Sequence, residues 1–380
     1  MKRLATFALL AALAASAQER QPYQDARTER RDYSGPESSE PGPDVSEVRI
    51  GYYGPSDAGH PEGGTLWLGV SMAVEEANRD GGYQGLPFRL VPWWSENPWS
   101  AGPSAVVRMA YVDRVWAVIG SLDGAATHLA EQVVAKARLT LLDPVSTDKS
   151  VNYAGIPWMF SCAPSDRALA AVMGDAVLQE TGGKFVLVSS TDHDSRAFAA
   201  EFQSWLSRHH AAPKLHLEFH PNADLQPVAG QVAVFGAKAV VVLAGAPDAG
   251  RFVRELRRAS SSIPVFGGSS FARRSFALYA GAAAGDVRFP QLVQATPRAA
   301  EFASRFRARF GFAPDYPAFY GYDAMSMMVI AVRKAGLSRS GIREALQNAG
   351  RWEGVSGSIE WNPAGRNERP VSLSLGGIIW

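Results

Sequence analysis

One cysteine, Cys162, stands in 380 residues, so no intrachain disulfide can form and the core alone must hold the fold. A lone thiol of this kind is ordinarily buried, and Cys162 is given no chemical role. The chain also lacks the loops that nucleotide enzymes place after a strand. Neither Gly-x-Gly-x-x-Gly nor a Walker loop is present, the nearest candidate, Gly54-Pro-Ser-Asp-Ala-Gly59, has no middle glycine, and Gly81-Gly82 ends a helix. The Gly-x-Ser-x-Gly elbow of a secreted serine hydrolase is missing, with Gly354-Val-Ser-Gly-Ser358 coming nearest. His-Glu-x-x-His is absent, and neither His209-His210 nor the pair His216 and His220 has a third ligand at metal-site spacing. No catalytic centre, cofactor or metal is therefore expected. An excess of one charge is missing too. The 38 basic residues face 37 acidic ones, which leaves no basic footprint for nucleic acid.

The first residues set the compartment. Lys2 and Arg3 precede an apolar run from Leu4 to Ala15 that closes in Ala15-Ser16-Ala17. The run is too short for a stable bilayer anchor, and the small residues fit signal-peptidase cleavage between Ala17 and Gln18. Residues 1–17 are thus expected to be a signal peptide, and the mature chain to be periplasmic or secreted. No cysteine follows the cleavage site to carry a lipid. Residues 18–46 hold arginines, acids and prolines with almost nothing aliphatic to bury, which predicts a disordered linker.

From Val48 short apolar strands alternate with amphipathic helices. Val48–Tyr52 leads through Gly54-Pro-Ser56 to a helix over Leu66–Asn78; Phe88–Trp93 leads to a helix near 103–111; Val115–Gly120 and Thr140–Leu142 follow. Lys184–Val188, Lys214–Phe219, Ala239–Leu243 and Pro264–Phe266 continue the series, with helices over Ala197–His209 and Gly250–Arg258. The β-branched, nearly unbroken strands predict parallel sheets covered on both faces, an α/β architecture. The length beyond Val45 exceeds what one core supports, so two lobes are expected. In such sheets a ligand sits at the carboxyl ends of the strands, which here means the loops 54–63, 120–127, 143–149, 189–196, 244–249 and 267–274.

Several segments in this order resemble the periplasmic solute-binding proteins of the branched-chain amino acid and amide type. They are Ile50-Gly-Tyr-Tyr-Gly-Pro-Ser56, Ala73-Val-Glu-Glu-Ala-Asn-Arg-Asp-Gly-Gly82, Val118-Ile-Gly-Ser-Leu122, Leu142-Asp-Pro-Val-Ser-Thr147, Tyr320-Gly-Tyr-Asp-Ala324, and Trp352-Glu-Gly-Val-Ser-Gly357 with Trp361-Asn-Pro-Ala-Gly365. The resemblance covers Val45–Trp380. It implies two Rossmann-like lobes of the type I periplasmic-binding-protein kind, joined by a hinge of three crossings near Cys162–Pro164, Val287–Pro290 and Val355–Ile359. Lobe 1 would comprise 47–163 plus 291–354, and lobe 2 would comprise 165–288 plus 356–380.

By the same resemblance the chain is expected to be a monomer without enzymatic activity that closes on a small polar solute, an amino acid, amide or small carboxylate. It would deliver that solute to the membrane permease of an ABC transporter. A ligand sensor of the same fold and an exported α/β hydrolase are the alternatives. The solute's carboxylate would meet backbone amides and hydroxyls of the loops 120–127 and 143–147, with Ser121 and Gly124 at the start of a helix near Ala125 and Ser146 and Thr147 beside it, and Asp123 and Ala246 are further expected contacts; Ser121, Ser146 and Thr147 also suit helix caps. The far wall departs from the family pattern. Ser269 stands where relatives carry a glutamate for the ligand's ammonium, Asp194 replaces a tyrosine, and Glu62 replaces an aromatic residue. Glu62, Asp123 or Asp194 would then compensate an ammonium, or the ligand carries none. Trp93, Trp94 and Trp99 are read as lobe-surface packing with ligand stacking as the alternative. Arg273-Arg274 is read as a solvated pair, with a clamp on an acidic ligand as the alternative. Asp192-His193-Asp194-Ser195 has the residue types of a catalytic or metal cluster but falls in a ligand-facing loop.

Overall fold

The computed structural model describes residues 45–259 and 262–373. The segments expected to be a signal peptide and, up to residue 44, a linker, and the last seven residues expected in lobe 2, lie outside the described residues. Among the described residues no helix is long and apolar enough to cross a membrane.

The first half builds β1 (Val48–Tyr53), α1 (Gly64–Arg79), β2 (Phe88–Trp93), α2 (Pro98–Tyr111), β3 (Ala117–Gly120), α3 (Gly124–Ala137), β4 (Thr140–Asp143) and β5 (Met159–Ser161). Their strands form a five-stranded parallel sheet in the order β2-β1-β3-β4-β5, with Ile50 opposite Ala117 and Leu142 opposite Phe160. Then come α4 (Asp166–Thr181), β6 (Phe185–Ser190), α5 (His193–Arg208), β7 (Leu215–Phe219), α6 (Gln226–Phe235), β8 (Ala239–Leu243), α7 (Ala246–Arg258), β9 (Val265–Gly267), α8 (Arg274–Ala280) and β10 (Val287–Arg288). These strands form a second parallel sheet, β7-β6-β8-β9-β10. Both sheets thus run second, first, third, fourth, fifth in their own chain order. In this order the chain reverses direction between the first and third strands, which opens a crevice at their carboxyl ends.

The sequence dictates the buried strands. Ala239-Val-Val-Val-Leu243 and Phe185–Ser190 have no exposed residue, as strands covered by helices on both faces require. The chain returns to the first sheet through β11 (Pro290–Gln291), α9 (Pro297–Phe310), α10 (Tyr316–Ala335) and α11 (Arg339–Gln347), and ends in β12 (Trp352–Glu353), β13 (Ser358–Ile359) and β14 (Ser372–Leu373). Helix α10 lies along α1 so closely that a Cβ on Gly69 would sit 2.2 Å from the Ala318 carbonyl oxygen; only glycine permits that approach.

The crossings are stitched together by polar groups. Asp323 accepts hydrogen bonds from the Val355 and Ser356 amides at 2.9 and 2.7 Å. Gln294 accepts from the Ser358 amide at 2.9 Å and donates its own N–H to the Ser356 carbonyl at 3.0 Å. Cys162 is fully buried beside them and its thiol is pushed well above its ordinary pKa by burial, then by Asp143 and Asp323. The sequence reading places 356–380 in lobe 2, and part of this stretch contacts the first sheet. Residues around Arg366 run beside β5: the Ser161 amide donates to the Gly365 carbonyl at 2.8 Å, and the Asn367 amide to the Ser161 carbonyl at 3.0 Å. The buried Arg366 guanidinium draws them in by donating to the carbonyls of Ser146, Ala163 and Asp148.

Candidate functional site

The carboxyl ends of the two sheets face each other across a cavity of about 330 Å³. Each wall begins where a strand stops. After β1, His60 accepts the Glu62 and Gly63 amides on Nδ1 at 3.2 and 2.9 Å, which fixes the turn that carries Glu62. After β3, Asp123 caps α3 by accepting the Ala126 amide at 2.7 Å. After β4, Asp143 accepts the Val145 and Ser146 amides at 3.0 Å each and so presents Val145, Ser146 and Thr147 to the cavity. In the second lobe Asp192 caps α5 through the Ser195 amide at 2.9 Å and hydroxyl at 2.7 Å, setting Asp194 in the first turn. The ends of β8 and β9 supply Ala244–Pro247 and Gly268–Ser270, while Phe198 and Leu243 give an apolar patch.

Of the residues expected to contact the solute, Glu62, Asp123, Ser146, Thr147, Asp194, Ala246 and Ser269 line this cavity. Ser121 and Gly124 do not. The Ser121 hydroxyl is fully buried and is spent on the Asp123 carbonyl at 2.9 Å and the Thr127 hydroxyl at 2.8 Å. The Gly124 amide, expected to face a bound anion, already has one: both carboxylate oxygens of Asp194 accept from it across the cleft, at 3.0 and 3.1 Å. A Cβ on Gly124 would lie 2.6 Å from the Asp194 Oδ1, so the lobes meet here because this residue has no side chain. Burial raises the Asp123 carboxyl, and burial together with the neighbouring Asp123 pushes Asp194 well above the usual carboxylate range.

Arg273 departs furthest from the sequence reading. It is 8% exposed, not solvated, and it reaches from the second lobe into the first. Its Nη1 donates to the Glu62 carbonyl at 2.9 Å and its Nη2 to the Leu122 carbonyl at 2.8 Å, with the Glu62 carboxylate 3.4 Å away and the Tyr316 ring beneath it at 5.3 Å. Burial opposes the guanidinium charge, but Tyr316, Glu62 and Asp315 hold it firmly in the charged form. Ser275 donates to Glu62 Oε1 at 2.9 Å, the Arg274 amide to Asp315 at 2.8 Å, and the Thr147 and Ser269 hydroxyls lie 3.3 Å apart. The two lobes are closed on each other.

Among the tryptophans, Trp94 lines the cavity and packs on Tyr53 with ring centroids 5.4 Å apart. Trp93 is held outside by Asp113 at 2.8 Å and the Arg108 guanidinium, and Trp99 is exposed. His216 and His220 bond to Ser189 and Thr191, and His209 stacks on Trp205.

Burial pushes Asp143 up to about 7, with the Ser146 amide, Arg366 and the Val145 amide opposing. The unfolded chain ionises this carboxyl near the ordinary value of about 3.9. Between those two values the folded protein therefore holds the extra proton, and the stability this site contributes falls as pH rises, by up to about 1.4 kcal/mol per pH unit. Asp143→Asn keeps the acceptor for both amides and loses the titration. Urea denaturation from pH 5 to pH 8 is expected to show the variant gaining steadily on the wild type, with little further gain above that window. A difference that stays constant with pH would mean that Asp143 is already ionised in the folded state.

Comparison with known proteins agrees with this arrangement. The family model described as Periplasmic binding protein matches residues 47–374. An amino acid binding protein of Pseudomonas aeruginosa is 23% identical over 335 residues, covering 84% of this chain and 87% of that one. The branched-chain amino acid transporter substrate-binding protein LivJ from Streptococcus pneumoniae, solved in complex with isoleucine, superposes with a TM-score of 0.78 at 20% identity, covering 84% of this chain and 93% of that one. A solute-binding protein of an ABC transporter from R. palustris, solved in complex with benzoate, gives 0.76 at 16% identity, covering 86% and 92%. With two matching sheets that close a cavity between their carboxyl ends, and a family model spanning both, the chain belongs to the periplasmic binding protein family.

Proposed function

We propose that this protein is the exported binding component of an ABC transporter, that it carries out no chemistry on its ligand, and that the ligand is a small solute bearing a protonated amine. The observation that carries the ligand class is the excess of carboxyl groups on the cavity wall, which a cation entering the cleft would hold in their ionised form. Glu62, Glu96, Asp123, Asp192 and Asp194 line it against one arginine, Arg273, and that guanidinium is already bound to Glu62 and two carbonyls. A solute carboxylate would find the Gly124 amide taken by Asp194, whereas an ammonium would gain from Asp123 and Asp194 the partner that a buried charge requires. Phe198, Leu243 and Val145 leave room for an aliphatic body. The isoleucine in the LivJ complex has both parts; the benzoate in the other complex lacks the amine. Hydroxyls of Ser146, Thr147 and Ser269 would bond whatever polar group lies at the other end.

A thermal-shift panel on the mature protein, freed of ligand by unfolding and refolding, tests this. Aliphatic amino acids and simple amines are expected to raise the melting temperature, while amides and aromatic acids are not. A panel in which only amine-free acids stabilise would overturn the assignment. Asp194→Asn keeps an acceptor for the Gly124 amide and is expected to weaken amine binding by about 10–100-fold, the worth of one charged hydrogen bond. Equal affinity in calorimetry would place the ammonium elsewhere.

A further inference from the structure

Behind the cavity wall three side chains from both lobes converge on one point. His128 comes from the second turn of α3, Asp148 from the loop after β4, and His193 from the start of α5. His193 Nε2 lies 3.1 Å from Asp148 Oδ2, His128 Nε2 lies 3.3 Å from the same oxygen, and all three ligand atoms fall within 4.8 Å of one another. A tetrahedral ion with bonds of about 2.0–2.1 Å holds neighbouring ligand atoms about 3.3 Å apart. Two of the three edges already have that span. The imidazoles are nearly perpendicular, at 78° with centroids 5.7 Å apart, so both Nε2 atoms can turn to a shared centre without stacking.

The surroundings suit an ion as well. Asp148 Oδ1 is held by the Ser150 amide at 2.8 Å and hydroxyl at 2.7 Å, which leaves Oδ2 to face the point of convergence. Glu131 places Oε2 3.6 Å from Nδ1 of His128, on the far side of the ring. A carboxylate there orients an imidazole that binds a metal through its other nitrogen. The Glu131 side chain is buried, and its Oε1 has no hydrogen-bond partner among the described residues. The nearby cations are committed elsewhere, Arg366 to backbone carbonyls and Lys149 to Glu201 at 2.7 Å. His128 and His193 are 29% and 38% exposed at their side chains, so an ion can enter from solvent. An ion would displace the contact of His128 Nε2 with the Ser150 hydroxyl at 2.9 Å and replace the direct contacts of both Nε2 atoms with Asp148 Oδ2 by bonds to the metal.

We propose that His128, Asp148 and His193 bind a single divalent transition-metal ion of the zinc type between the lobes, with the fourth position open to solvent, and that the ion favours the closed form. Two imidazoles and one carboxylate select such an ion over magnesium or calcium, which prefer all-oxygen shells. His193 belongs to the second lobe and the other two ligands to the first, so the site is complete only when the lobes meet. Ion binding and closure are then linked equilibria.

The test uses the mature protein stripped with a chelator and dialysed. Calorimetric titration with Zn²⁺ is expected to give one equivalent per chain at micromolar or tighter affinity, and Co²⁺ to give the intense visible bands of a four-coordinate ion. His128→Ala and His193→Ala, both at partly exposed positions, should each weaken Zn²⁺ binding at least tenfold. Their melting temperatures in chelator serve as the check on folding. In small-angle scattering without solute, Zn²⁺ should reduce the radius of gyration of the wild type and leave that of His193→Ala unchanged. No zinc uptake, or uptake at equal affinity in both variants, would overturn the site. Ligand-dependent uptake with no change in scattering would overturn its action on closure. The solute panel is run in chelator, so failure of one reading is separable from failure of the other.

Discussion

Arg273→Ala is expected to weaken solute binding about 100-fold while leaving both lobes folded. Its guanidinium gives two charged hydrogen bonds to carbonyls of the opposite lobe, Glu62 and Leu122, at 2.9 and 2.8 Å, and both are lost with the side chain. Hydrogen bonds to charged groups are worth about 1.5–3 kcal/mol each. Both acceptors regain water when the cleft opens, so the loss falls on the closed state alone and appears as a population shift. About 3 kcal/mol of closure energy corresponds to about two decades in Kd. Calorimetry with whichever solute the panel identifies measures the loss, and scattering on the ligand-free variant should show a larger radius of gyration. Arg273→Lys is expected to recover part of the affinity, since an ammonium cannot span both carbonyls in the fixed fork of a guanidinium. Unchanged affinity in Arg273→Ala would mean that Thr147, Ser269 and Asp194 suffice to hold the lobes.

Arg339→Ala is expected to cost about 3–5 kcal/mol of stability, from about 1–3 kcal/mol for each buried carbonyl left unpaired together with the void left by the side chain. Arg339 opens α11 and has no solvent exposure. Its Nη2 donates to the Ala110 and Val115 carbonyls at 2.8 Å each, its Nε to Val115 at 3.2 Å, and its Nη1 to Ala137 at 3.3 Å. Ala110 and Ala137 lie in the last turns of α2 and α3, where carbonyls have no helical partner and the helix dipole favours a cation. One side chain from the returning chain thus caps two helices of the first half. Truncation strands those carbonyls in the core and leaves a void. At about 2–4 °C per kcal/mol for a protein of this size class, the melting temperature should fall by roughly 10 °C. A shift under about 2 °C would show that water replaces the guanidinium at little cost.

The longer strands were legible because their apolar runs need only local pattern: Phe88–Trp93 and Ala239–Leu243 stand where the sequence places them, whereas β5 and β10, three and two residues long, carry too little pattern to be read. Helix starts were not. Helices α2, α5 and α7 each begin about four residues before the apolar periodicity, at Pro98, His193 and Ala246, because a first turn is built from prolines and capping residues that carry no stripe. The loops around the cavity could be foreseen from the rule that ligands sit at the carboxyl ends of parallel strands, and the resemblance named the residues within them. What neither signal could reach is contact between distant segments. Arg273 reads as one of two consecutive solvated arginines because its acceptors lie 151 and 211 positions away. His128 carries no motif, since its partner Asp148 is twenty residues on and His193 comes from the other lobe. Ser121, chosen for its hydroxyl, is turned inward by the short turn between β3 and α3 that bonds it to Asp123 and Thr127.

The packing of α10 on α1 bears on how this chain reaches its native state. Gly69 and Ala318 touch although 249 residues separate them, whereas the second sheet is assembled from a single run between Phe185 and Arg288. Closing a long loop costs entropy that is repaid only once the distant contact forms, and contacts far apart in sequence slow folding. The uninterrupted half can condense as soon as its own residues are available. The other must wait for its last helices, with the apolar face of α1 uncovered in the meantime. A chain emerging N-terminus first therefore presents this apolar surface early and covers it late, and the interval between the two is when a holding chaperone would matter most.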